Sequence, residues 1–122
     1  MKERLNNGSS VIDFTNINYL EFKKNDDIYE LYFLYRPKLK MDKVKIQKTF
    51  VSLNEMKKFL GDRNFYQFDK YFINVKMVQL IEEKIIKNSP QIEVIIYSSN
   101  FVPLLITTTK NNWLSFKNSR LV

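Results

Sequence analysis

Apolar and polar positions alternate along most of the chain. In "VIDFTNINYLEF", Ile12 and Phe14, then Ile17 and Tyr19, fall on one side while Asp13, Asn18 and Glu21 turn the other way, the period of a half-buried strand. The parity slips at Thr15 and Asn16, where a bulge or short turn is the simplest repair. The polar break "KKND" separates this run from "DIYELYFLY", whose aromatic and aliphatic residues suit a pleated surface, so the two predict a hairpin. Pro37 ends the second strand. In "RPKLKMDKVKIQK" the alternation returns, with Val44 and Ile46 inward and Lys43, Lys45 and Gln47 outward.

The helical signal is confined to one place. Ser52 and Glu55 form an S-x-x-E capping box, Val51 and Met56 stand where a hydrophobic staple would close, and Leu53, Met56, Phe59 and Leu60 share a face. Gly61 follows as a left-handed stop, which places a short helix over 53–60. Next comes "FYQFDKYFINV", strand-like yet interrupted by Gln67, Asp69, Lys70 and Asn74. Phe65, Phe68, Tyr71 and Ile73 predict packing, Gln67, Asp69 and Lys70 an outward turn, and Asn74 a side chain anchoring a backbone bend.

"KMVQLIEEKII" fits neither period, and its neighbours decide for strand. "NSP" and "SSN" are turn signals flanking the strong strand "QIEVIIY", and "FVPLLITTT" reads as another strand with Pro103 near an edge. The tail predicts a final turn or short helix packing Trp113, Leu114 and Phe116, and residues 107–112 a polar loop. The expected fold is mainly β with one short α-helix, as compact antiparallel sheets or a barrel-like body. Residues 1–10 are expected to be a flexible start and 11–122 a single domain.

Composition agrees with one domain: 122 residues at 44% hydrophobic and 15% aromatic can fill one core. The net charge of +7 favours anionic partners. Residues 36–58 carry eight basic side chains against two acidic ones, a local surplus of six. Sixteen of the twenty basic residues are lysine, and with abundant Asn and Ile this is a blend that an AT-rich genome produces without selection for binding.

Cysteine is absent, which removes disulfides and thiol chemistry and fits a reducing cytoplasm; histidine is absent too, removing the usual general base and commonest metal ligand. Asp26–Asp27 and Glu82–Glu83 are neighbours that a strand would point to opposite faces, Ser98–Ser99 lacks a G-x-S-x-G context, and Gly8 and Gly61 are the only glycines. No enzyme, cofactor or metal is expected. No run approaches the roughly 20 apolar residues of a spanning helix, and "MKERLNNGSS" lacks an apolar leader core, so a cytoplasmic protein without membrane attachment is expected.

Four segments in order resemble the LytTR family of bacterial DNA-binding domains. Ile17, Tyr19, Leu20 and Glu21 are similar to its I-x-Y-[IL]-E opening, and "SLNEMKKFL" to its S-L-x-E-[LM] helix start. Tyr71, Phe72, Ile73, Asn74 and Val75 fall on Y-I-V-N-L within F-x-R-x-H-R-S-[YF]-[IV]-V-N, and "IEVIIYSSNFVPLLITTTK" resembles the closing strand, turn and strand. The likeness spans residues 11–116. The His and Arg of H-R-S are replaced by Phe68 and Asp69, or by Asp69 and Lys70 with one residue dropped, and the basic residue after the last strand falls near Thr108, with Lys110 the nearest cation.

The resemblance implies a bacterial transcriptional regulator that contacts duplex DNA and dimerises on it; here it is expected to stand alone, without a receiver domain, and the composition suggests an AT-rich bacterium or one of its mobile elements as the source. The residues expected to contact nucleic acid are Lys38, Lys40, Lys43 and Lys45 on the basic strand, Gln67 and Lys70 on the turn, and Thr108, Lys110 and Asn111 near the end. Reversing Lys43 and Lys45 to glutamate should then abolish duplex binding with little change in melting temperature. The basic strand also reads as an edge guarded by lysine. Two other functions stay open. Tyr29, Tyr32, Phe33, Tyr35 or Tyr97 could form a stacking platform for RNA on a small PUA-like barrel, and a module that has lost DNA readout could bind an acidic protein partner.

Overall fold

The computed structural model describes residues 2–4, 11–35, 42–98 and 103–121. The fold is mainly β, with strands β1 (Lys2–Arg4), β2 (Val11–Asp13), β3 (Tyr19–Asn25), β4 (Ile28–Tyr35), β5 (Asp42–Phe50), β6 (Phe65–Phe68), β7 (Tyr71–Asn74), β8 (Val78–Ile85), β9 (Gln91–Ser98) and β10 (Leu104–Thr109). Two short α-helices, α1 (Leu53–Gly61) and α2 (Lys110–Phe116), interrupt and close the series, and a π-helical turn, Lys117–Leu121, extends α2. Among the described residues no barrel closes. The strands form a five-stranded antiparallel sheet ordered β5-β4-β3-β7-β6, a three-stranded meander β10-β9-β8, and the ribbon β1-β2. That ribbon takes in Lys2–Arg4, part of the start expected to be flexible.

The five-stranded sheet is covered on both faces. Leu20, Leu31, Ile46, Phe50 and Phe72 pack with Phe14 and with Met56 and Leu60 of α1. On the opposite face Tyr19, Leu34, Phe68 and Ile73 meet Ile92, Val94, Ile96, Leu104 and Ile106 of the meander and Trp113 and Phe116 of α2. Burying each such side chain contributes roughly 1.5–3 kcal/mol, so alternation along β3, β4 and β7 fixes the register on both faces at once.

Some local expectations hold and others need correction. The slip at Thr15–Asn16 is a 3₁₀ turn, Phe14–Asn16, whose Asp13 cap accepts from the Thr15 amide at 3.1 Å. Ser52 caps α1 by accepting from the Glu55 amide at 3.1 Å, but no staple forms, because Val51 is 75% exposed. Gly61 is the last residue of α1, not its left-handed stop; Asp62 is right-handed and Asn64 turns the chain at φ 68°. With so few glycines, left-handed positions fall to Asp26, Asn64, Asp69 and Asn88, residue types that tolerate positive φ through local side-chain bonding. The tail forms the second helix, burying Trp113 and Phe116 but leaving Leu114 45% exposed.

Asn74 anchors the bend after β7. Its Nδ2 donates to the Ile17 carbonyl at 3.0 Å and its Oδ1 accepts from the Lys76 amide at 3.1 Å, while its own amide donates to Asn18 O at 2.8 Å. The segment's polar residues therefore divide between a buried backbone clamp and an exposed turn. Among the described residues no helix is long and apolar enough to cross a membrane.

Candidate nucleic-acid interface

The basic strand does not present a bare cationic stripe. Lys43 and Lys45 share the face of β5 that looks toward Glu21 on β3 and Glu30 on β4, and both carboxylates are buried. Lys45 Nζ lies 2.6 Å from Glu30 Oε2, and Lys43 Nζ lies 2.6 Å from Glu21 Oε2. Lys70, arriving from the β6–β7 turn, places its Nζ 3.3 Å from Glu21 Oε1. The Lys45 hydrogen bond holds the Glu30 carboxyl below its ordinary value despite burial, and Tyr32 Oη adds a donor at 3.2 Å. The same bond raises Lys45, and the Glu21 bond raises Lys70. A carboxylate buried without a partner would be strongly destabilising, so these lysines serve first as its counter-ions. Reversal of Lys43 and Lys45 therefore sets like charges against Glu21 and Glu30, and a nearly unchanged melting temperature is no longer expected. Lys38 and Lys40 lie outside the described residues.

Of the aromatic residues considered as a stacking platform, three have partners in the fold, while the side chain of Tyr35 lies outside the described residues. Tyr29 and Phe33 lie against the α1-side core, and Tyr32 donates to Glu30.

The turn and the chain end, expected as two separate contact segments, lie side by side. Asp69 takes the left-handed conformation at φ 57°, and Gln67 Nε2 donates to its carbonyl at 3.2 Å, closing the turn that exposes Lys70. Just before it, Phe68 stacks on Phe116 with centroids 4.9 Å apart and meets Trp113 at 5.4 Å, which fixes α2 against β6. The expected polar loop at 107–112 is instead the end of β10 and the start of α2. Thr108 points inward, buried, and accepts from Asn112 Nδ2 at 2.8 Å; Thr109 caps α2 by accepting from the Asn112 amide at 3.1 Å. Lys110 and Asn111 stand exposed on the first turn.

Between α1, β6 and the C-terminal helices opens a cleft of about 260 Å³. Lys57, Tyr66, Gln67, Asn112, Ser115 and Arg120 supply its chemistry, and among the described residues no carboxylate lines it. Arg120 lies over the Tyr66 ring, its guanidinium carbon 4.1 Å from the centroid. Of these residues Gln67 is expected from the sequence to touch nucleic acid, and Asn112 belongs to the polar run 107–112, whose donors and acceptors suit base edges. One signal could have pointed to two of the others: Asn112 and Ser115, with Ser119, recur at helical spacing, the polar stripe beside buried Trp113 and Phe116. On the far side of α2, Glu83 of β8 accepts from Trp113 Nε1 and Lys117 Nζ, both at 2.9 Å, which ties the helix to the meander.

No protein-family model, curated protein or solved structure matches the chain.

Proposed function

We propose that the protein is a nucleic-acid-binding regulator that takes duplex DNA against the side formed by the β6–β7 turn, α2 and the cleft between α2 and α1. One observation carries this reading: Gln67 and Asn112, far apart in sequence, line one cleft with two cations and, among the described residues, no carboxylate. A net charge of +7 supplies long-range attraction to a polyanion, and the cleft offers amide groups able to donate and accept beside the charge. Lys110 and Asn111 stand exposed on the first turn of α2, and Lys70 on the β6–β7 turn. The order of elements, with a capped short helix between β5 and β6 and an antiparallel meander after β7, supports the LytTR-like reading of the sequence.

The test is fluorescence anisotropy with matched duplex DNA, single-stranded DNA and RNA at about 50 and 200 mM salt, a range over which phosphate-dominated binding weakens steeply. Duplex preference with a steep salt slope is expected. Preference for single-stranded RNA would replace this reading with an RNA-binding one, and absence of binding to all three would leave a protein partner as the target.

A further inference from the structure

We propose that the cleft between α1 and α2 is a phosphate seat, with Arg120 as its principal ligand and Lys57 as its second charge. The inference rests on the proposed function for the source of the phosphate, a nucleic-acid backbone, although a free phosphate offers the same chemistry. Arg120 is arranged for this work. Its guanidinium carbon lies over the Tyr66 ring, 4.1 Å from the centroid, and a guanidinium lying flat on a ring keeps its in-plane N–H groups available for two parallel bonds to phosphate oxygens. Stacking also restrains a long side chain, which lessens the ordering cost on binding. Neither Arg120 nor Lys57 has an ion pair among the described residues, in contrast to Lys43, Lys45, Lys70 and Lys117.

The neutral groups divide by what they can still donate. Gln67 and Asn112 each spend one amide N–H, on Asp69 O and Thr108 Oγ1, and keep the other. Ser119 donates to Ser115 O at 2.7 Å and so has no proton to offer, whereas the Ser115 hydroxyl remains a donor. The cleft thus presents an excess of donors, as an oxyanion requires. Its volume, about 260 Å³, falls below the roughly 300–1,000 Å³ of pockets that enclose a whole small molecule, which fits a phosphate and part of its sugar better than a complete nucleotide.

The experiment measures duplex affinity against salt for the wild type, Arg120→Ala, Lys57→Ala and a control cation outside the cleft, Lys84→Ala. These residues are exposed, and circular dichroism checks folding. Arg120→Ala and Lys57→Ala should each flatten the slope of log affinity against log salt by about one, the loss of one phosphate contact, and Lys84→Ala should leave it unchanged. Arg120→Lys should restore only part of the affinity, since lysine cannot both stack and bind bidentately. If the wild type binds duplex and all three alanine variants share its slope, the seat is refuted while DNA binding stands. If the wild type binds no nucleic acid, the function proposed above fails, and inorganic phosphate decides the seat alone. Saturable amide shifts at Ser115 and Ser119 that vanish in Arg120→Ala would support it with a small phosphate as ligand; their absence would overturn it.

Discussion

Glu30 and Lys45 face each other across β4 and β5 with 2.6 Å between Oε2 and Nζ, the carboxylate almost wholly buried and the ammonium about a third exposed at 31%. The pair joins the edge strand to the sheet interior and explains why a strongly basic strand is tolerated there.

The first consequence concerns stability. Glu30→Ala should cost about 2 kcal/mol, below the range for fully buried pairs because Lys45 can recover water. Lys43→Glu with Lys45→Glu should lower the melting temperature by several degrees through repulsion with Glu21 and Glu30. Thermal denaturation followed by circular dichroism measures both. A double reversal that melts with the wild type would show that the glutamates do not depend on these lysines.

Acid should weaken the fold for a related reason. Glu30 is held low by Lys45, and Glu83 by hydrogen bonds from Lys117 and Trp113. A carboxyl whose folded pKa is depressed contributes stability that is fully present above its unfolded value and lost as pH falls through the folded one. The loss should therefore begin below about pH 4.5, the ordinary glutamate value, and Glu30→Gln should reduce its steepness. Trp113 is the only tryptophan and donates to Glu83, so its fluorescence should change over the same acid range and not do so in Glu83→Gln. Urea midpoints independent of pH between 3 and 6, a window set by the ordinary carboxylate values, would contradict this.

Asn74 provides a test of the clamp between β7 and the segment that leads into β3. Asn74→Ala leaves the Ile17 carbonyl and Lys76 amide without their side-chain partner and should cost about 2 kcal/mol. Asn74→Asp should fail to rescue, since a carboxylate cannot donate to Ile17 O. Chemical denaturation reads both, and a loss of under about 0.5 kcal/mol, the range of ordinary surface substitutions, would show that water replaces the clamp.

Gly61 gives a prediction of opposite sign. It ends α1 without positive φ, and a Cβ there would meet nothing within 4 Å. Gly61→Ala should stabilise by about 0.5–1 kcal/mol through the entropy lost from the unfolded chain. Destabilisation would mean that the left-handed stop expected from the sequence is needed after all.

The strands, the capped helix and the role of Asn74 were legible in the sequence because each rests on local pattern: alternation, S-x-x-E spacing, and an amide among apolar neighbours. The pairing of β5 lysines with Glu21 and Glu30 was not, since it depends on β3 and β4 lying beside β5 with those residues on one face. Period-2 alternation says only that Lys43 and Lys45 leave the side of Ile46, not what waits for them there. Thr108 was misplaced for the opposite reason: a polar run reads as a loop, yet a threonine continues a strand and its hydroxyl is satisfied by Asn112 inside the fold. The cleft was hidden because Lys57, Gln67 and Arg120 meet only after Phe68 has docked α2.

The central claim is that nucleic acid lies against the turn, α2 and the cleft, not along the paired lysines of β5. Amide chemical shifts recorded while duplex DNA is titrated into the labelled protein locate the contact directly. Changes concentrated at Gln67–Lys70 and Lys110–Ser115, with residues 43–47 nearly silent, are the predicted result; changes centred on 43–47, or none at saturating DNA, would contradict the account.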